Sequence, residues 1–219
     1  MPIHNVYDRT LKIMARHYTH VFLALAFPET PVRLLGTLEN VELSLPVRPV
    51  DFIHRIEYEG REYLLHLEFQ LRHETDFPRR LCGYYGALTE QFDLPVLTLV
   101  LYVRPRQAAL PQAYEVALGE HVVNRFSYPV LRLWDHVDAI RSGQYRELAP
   151  LLLALVPDDK TKVLEEERTL ILAESDAQKR RDLLALAVTI ATRHFDSRYL
   201  LQFFTEQEVK EMQEAKFLE

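Results

Sequence analysis

Asp51, Glu68 and Gln70 are the residues of this 219-residue chain whose types and spacing could do chemistry together. They stand near the two ends of the segment VDFIHRIEYEGREYLLHLEFQ, residues 50–70. Two carboxylates brought face to face repel, so a raised pKa, a basic partner or a cation must offset the repulsion. Mg²⁺ suits such a pair, because it takes one or two carboxylates and completes its shell with water and phosphate oxygens. An ion held this way can generate a nucleophilic hydroxide and stabilise charge on a phosphodiester.

Whether the carboxylates meet depends on a hairpin. The segment reads as two strands, Val50–Tyr58 and Arg61–Gln70, joined at Glu59-Gly60. A loop of two or of four residues sets Asp51 opposite Glu68, Ile53 opposite His66 and Ile56 opposite Tyr63. Alternation then gathers Phe52, Ile56, Tyr58, Tyr63, Leu65, Leu67 and Phe69 on one face, broken by His54 and Arg61. The other face carries Asp51, Ile53, Arg55, Glu57, Glu62, Leu64, His66, Glu68 and Gln70. A three-residue loop would mix the two sets, and the hydrophobic pattern rejects it. In this register the Cβ atoms of Asp51 and Glu68 lie about 5 Å apart. Glu57 and Glu62 oppose each other in the same way near the turn, where a solvated pair without function is the simpler reading. The Asp51–Glu68 pair differs in lying far from the turn, between apolar flanks, beside His66 and Gln70.

Around the hairpin, residues 5–27 read as an amphipathic helix stopped by Pro28. Pro31 can open a short helix over Val32–Leu38, and residues 41–47 alternate weakly as a strand. After the hairpin, helical spacing over Arg79–Phe92 gives an apolar stripe of Leu81, Tyr85, Leu88 and Phe92. The apolar run Pro95–Val103 predicts a central strand. A loop holding Pro105 and Pro111 follows, then short strands near Glu120–Ser127 and Val130–Trp134. From there the pattern is helical. Pro157 before Asp158 and Asp159 marks a break and restart, and Thr205 with Glu208 forms a capping box.

At this point the residues resemble a known family. An Asp at the start of one strand and Glu-x-Gln at the end of the next are similar to the PD-(D/E)XK nuclease superfamily. More narrowly, LLHLEFQ followed by PRRLCGYYGALTEQFDLPVLTLVLYV resembles the Rpn family of recombination-promoting nucleases, often labelled transposases. The likeness covers roughly residues 1–155, and the tail FTEQEVKEMQEAKFLE is similar to tails in that family. The resemblance implies an α+β fold, an αβββαβ core around a mixed sheet. It implies Asp51 and Glu68 as ligands of Mg²⁺ or Mn²⁺, with the Phe69 carbonyl as a third donor. Gln70 falls where lysine usually stands, and glutamine can hydrogen-bond a water but brings no positive charge. An extra acid often comes from the first helix or just after it; Glu29, Glu39 and Glu42 are the candidates. Arg80 and Tyr84, one helical turn apart, could face the site and nucleic acid together with His66. A salt bridge and a core tyrosine are the plainer readings of those two helical residues.

Other signals are weaker. The net charge of −6 is unlike that of a basic nucleic-acid-binding domain. Residues 1–156 hold 16 Lys+Arg against 18 Asp+Glu, all but Lys12 of the basic ones arginine, which suits bidentate phosphate contacts. His17 and His20 are spaced for metal binding but have no evident third ligand. Cys82, the one cysteine, excludes an internal disulfide and a thiolate zinc cluster, and a reducing cytoplasm fits. There is no Gly-rich phosphate loop and no Gly-x-Ser-x-Gly elbow. No apolar run is long enough for a membrane span.

The expectations are then a nuclease-like domain over residues 1–156 and a helical extension over 157–219. The expected activity is metal-dependent DNA cleavage. The alternative is an inactive nuclease-fold interaction protein or a DNA-binding accessory. Apolar stripes at Leu164, Ile171, Leu183, Ala187 and Ile190 exceed what so short an extension can bury alone, which predicts a homo-oligomer through the C-terminal helices.

Overall fold

Alternating apolar residues and a tight turn build the centre of the protein. In the computed structural model, which describes residues 3–27, 32–38, 41, 50–71, 74–106, 109–118 and 121–215, strands β2 (Phe52–Tyr58) and β3 (Arg61–Gln70) form the expected antiparallel hairpin. Their partners run from Phe52↔Leu67 through Ile53↔His66 to Tyr58↔Arg61, the register predicted from burial. Glu59 (φ 49°) and Gly60 (φ 74°) both adopt left-handed backbone, the pattern of a two-residue type I′ turn. Strand β4 (Val96–Tyr102) lies parallel to β3 and is interior in the sheet, the place the apolar run predicts.

The fold is α+β. A mixed five-stranded sheet has the order β1-β2-β3-β4-β7, with β1 (Arg33–Leu38) antiparallel to β2, and β7 (Val130–Arg132) parallel to β4. Among the described residues there are eight α-helices. Helix α1 spans Ile3–Ala26, with non-helical backbone at Tyr18, and α2 spans Phe77–Phe92. No helix among the described residues is long and apolar enough to cross a membrane.

The chain divides into two compact units. One comprises Tyr18–Tyr102 and Arg106–Arg132 and holds the sheet. Here the end of α1 covers one face of the hairpin, with Phe22 against Phe69 at 5.9 Å between ring centres and Thr19 Oγ1 3.2 Å from His54 Nε2. Helix α2 covers the other face, where Tyr84 meets His66 edge-on at 5.7 Å. Both faces are therefore buried: Leu65 and Leu67 on the first, Ile53, Leu64 and His66 on the second, all at 0% exposure. His54, the polar exception on the first face, is held between Thr19 and Thr37, whose Oγ1 lies 2.7 Å from its Nδ1. Burial lowers its pKa to about 4, so it stays a neutral ring.

Three local expectations change. Residues 33–38 form strand β1, where a helix over 32–38 was expected. Gly36 and the β-branched Thr37 weaken a helix here, and pairing with β2 satisfies the backbone instead; a bulge between Leu34 and Gly36 absorbs the extra residue. The buried stripe of α2 is Phe77, Leu81, Tyr84 and Leu88, so Tyr84 takes the inward place expected of Tyr85, which is 37% exposed. The segment after Pro111, read as loop, forms β5 (Ala113–Leu118), which pairs with β6 (His121–Ser127) in a separate two-stranded ribbon. The strand expected over 41–47 falls almost wholly outside the described residues.

The other unit comprises Met1–His17, Val103–Pro105 and Leu133–Glu219. Its helices are α3 (Val137–Arg141), α4 (Leu152–Leu155), α5 (Lys160–Leu172), α6 (Ala177–Ala191), α7 (Ser197–Phe203) and α8 (Glu206–Gln213), with the first part of α1. The Pro157 break stands between α4 and α5, and Asp159 caps α5 by accepting the Thr161 N–H at 2.9 Å. The Thr205–Glu208 capping box opens α8. Leu164, Ile171, Leu183, Ala187 and Ile190 are all at most 2% exposed. The expected surplus of apolar surface is absent at these positions, because the unit also recruits residues from 1–17 and 133–156. Self-association through them therefore loses its reason.

Candidate functional site

The site is set by the end of β3. Glu68 and Gln70 share one face of that strand by alternation, two residues past His66 and four past it respectively. Asp51 stands in a bend one residue before β2, opposite Glu68 when the hairpin register is continued. Its Oδ2 accepts the backbone N–H of Phe69 at 3.2 Å, which holds the carboxylate against β3 beside Glu68. In the parallel ladder Glu68 lies beside Val100 and Gln70 beside Tyr102. The three residues singled out from the sequence are thus brought to one end of the hairpin.

Glu68 is 6% exposed and Gln70 is 5% exposed. A carboxylate so enclosed needs compensation. Arg80 on α2 provides it, with a guanidinium nitrogen 3.6 Å from Glu68 Oε1. His66 Nε2 lies 3.4 Å from Glu68 Oε2. Both separations exceed the usual hydrogen-bond range. Among the described residues the buried His66 Nε2 closes no hydrogen bond. Its other nitrogen, Nδ1, lies 3.5 Å from Thr98 Oγ1 on β4.

Arg80 is shared. It pairs with Glu74, just before the helix, at hydrogen-bond contact, and lies over the Phe77 ring at 5.3 Å. Burial opposes its charge, but Glu74 and Glu68 outweigh burial and raise its pKa. Arg80 and Tyr84 therefore both reach the site region, Arg80 at Glu68 and Tyr84 at His66. The salt bridge and the buried tyrosine that formed the plainer reading of these two residues are also present. Glu74 and Thr98 were not singled out in the sequence. Thr98 was visible as the one polar residue in the apolar run 95–103. Glu74 carried no signal of its own.

The donor set suits a small divalent cation. Asp51, just before β2, and Glu68, on β3, are oxygen donors, and the contacts of Glu68 leave it short of formed hydrogen bonds. Among the described residues no group of three His, Cys, Asp or Glu is placed to hold a metal, so these two carboxylates would need backbone, water or substrate oxygens to complete a shell. Glu29, Glu39 and Glu42 lie outside the described residues. The chain matches no family model, and neither a curated protein nor a solved structure is significantly similar to it.

Proposed function

We propose that the chain is a metal-dependent phosphodiesterase acting on DNA, of the PD-(D/E)XK type and similar to the Rpn nucleases. The observation that carries this reading is the meeting of Asp51 and Glu68 at one end of the hairpin, with Arg80 3.6 Å from the Glu68 carboxylate. Asp51 and Glu68 would hold Mg²⁺ or Mn²⁺, which supplies Lewis-acid activation of water and phosphate. Gln70 would hold a water by hydrogen bonding, without lysine's charge. Arg80, on α2, has the positive charge that Gln70 lacks. His66 orients through Thr98 and packs on Tyr84. The test is nicking of supercoiled DNA with Mg²⁺ or Mn²⁺, comparing wild type with Asp51→Ala. Cleavage lost in the variant supports the reading; equal cleavage in both sinks it.

A second reading is a non-catalytic protein on the same fold. It is favoured by neutral Gln70 and by Arg80 already neutralising Glu68. Calorimetric titration with Mn²⁺ separates the two, because only the first predicts binding that depends on Asp51 and Glu68.

A further inference from the structure

The β5–β6 ribbon stands against α2 and the start of β4, and a cavity of about 610 Å³ opens between them. Its walls carry Cys82 and Tyr85 from α2, Thr98 from β4, and Tyr114, Asn124 and Phe126 from the ribbon. The Tyr85 and Phe126 ring centres are 5.0 Å apart. In the ribbon Tyr114 pairs with Phe126 and Val116 with Asn124, which sets these side chains on one face. Size and lining match a small-ligand site: aromatic walls with a few polar groups. Neither Asp51, Glu68 nor Gln70 lines it.

The cavity also shares a wall with the proposed cleavage site. Thr98 is 4% exposed, lines the cavity, and lies 3.5 Å from His66 Nδ1, while His66 Nε2 lies 3.4 Å from Glu68. The net charge of −6 disfavours duplex binding driven by phosphates. Single-strand sites combine base stacking on aromatic rings with a cation for the backbone, and Arg125 is in this lining.

We propose that this cleft is a nucleobase subsite for single-stranded nucleic acid, an unpaired base stacking on Tyr85 and Phe126 with Asn124 at its edge. The proposal rests on the phosphodiesterase reading and names its substrate: a strand whose bases are free to leave the stack.

Cys82 supplies the test, being the single cysteine and partly accessible. Its alkylation rate by N-ethylmaleimide is measured in EDTA, with oligothymidine of about 12 nucleotides or a duplex of the same length. Oligothymidine is expected to slow alkylation about fivefold or more, and duplex to leave it within about twofold. Phe126→Ala should lose this protection, and Asn124→Ala, an exposed lining residue whose loss leaves the fold intact, should weaken it, with thermal unfolding confirming that both variants are folded. No protection by saturating oligothymidine, equal protection by duplex, or protection retained in both variants overturns the subsite. Because metal is excluded, failure of the nicking assay does not alter this readout, and the two proposals fail separately.

Discussion

His66 Nε2 lies 3.4 Å from Glu68 Oε2, with the two side chains 0% and 8% exposed. Alternation along β3 puts them on one face, but only the cover of α2 removes both from water. Arg80 stands 3.6 Å from the other Glu68 oxygen, Oε1. The carboxylate thus has a guanidinium and an imidazole beside it, and that setting generates the first prediction.

Arg80→Ala should destabilise the fold by about 2 kcal/mol, since it strands a nearly buried carboxylate. The 20% exposure of Arg80 keeps the loss below that of a fully buried pair. Under the proposed function, Mn²⁺ should restore stability more in Arg80→Ala than in wild type, because the ion replaces the missing charge. Denaturant midpoints with and without Mn²⁺ measure both effects. A variant as stable as wild type would show that Arg80 does not compensate Glu68.

His54 predicts an acid limb in the stability profile. Its folded pKa is about 4 against an ordinary 6.5, because burial disfavours the charged ring. Between those values the unfolded chain binds the extra proton. The contribution of His54 is therefore complete above about pH 6.5 and falls as pH drops toward 4, by up to about 3 kcal/mol. His54→Gln, which keeps hydrogen-bonding capacity toward Thr19 and Thr37 without titrating, should flatten this limb. Some slope should survive, since burial also lowers the pKa of His136 and of His194. Urea titrations across the window check it, and an unchanged slope in His54→Gln would remove His54 as its source.

Glu167 predicts the opposite sign. It is 0% exposed on α5, and its carboxyl lies toward the Leu153 backbone without closing a hydrogen bond among the described residues. Burial raises its pKa well above the ordinary value of 4.5. The unfolded acid releases its proton first as pH rises, so this group costs stability increasingly above about pH 4.5. Glu167→Gln should relieve that cost and unfold later than wild type at pH 7, by an amount equivalent to about 1–3 kcal/mol. Thermal unfolding at several pH values tests it; a Glu167→Gln protein less stable than wild type throughout would contradict the assignment.

The turn supplies a prediction about the register itself. Gly60 at φ 74° tolerates left-handed backbone, whereas Glu59 at φ 49° does not favour it. Gly60→Ala should cost about 1–2 kcal/mol, and Glu59→Asn should stabilise by about 0.5 kcal/mol. Neither substitution touches Asp51 or Glu68, so any activity found by the nicking assay should persist in Glu59→Asn at wild-type level.

How much was legible in advance depends on the range of the interaction. The alternation of Phe52, Ile56, Leu65 and Leu67 with Glu59-Gly60 between them specified strand, turn and register together, because a slip by one residue would expose the whole apolar set. The placing of Asp51 and Glu68 at the same end of the hairpin followed from that register. The Thr205–Glu208 cap and the Pro157 break were equally plain, each a matter of adjacent backbone groups. Tyr84 and Tyr85 were not separable by spacing alone, since a shift of one residue along an amphipathic helix still gives an apolar stripe.

By itself, then, the sequence determined the hairpin, its facing residues and the local helix boundaries, all of which depend on neighbours a few residues away. Only the tertiary structure decided that residues 33–38 join the sheet, that α2 carries Arg80 to Glu68 and Tyr84 to His66, and that the C-terminal helices form one unit with the first residues of the chain. The physical reason is that each of these outcomes depends on what a distant segment leaves unburied or unpaired. Strand β1 exists because β2 offers an open edge, and Leu183 and Ile190 lie on α6, which packs against residues 146–151 as well as against its neighbours α5 and α8. Such partners leave no trace in local periodicity.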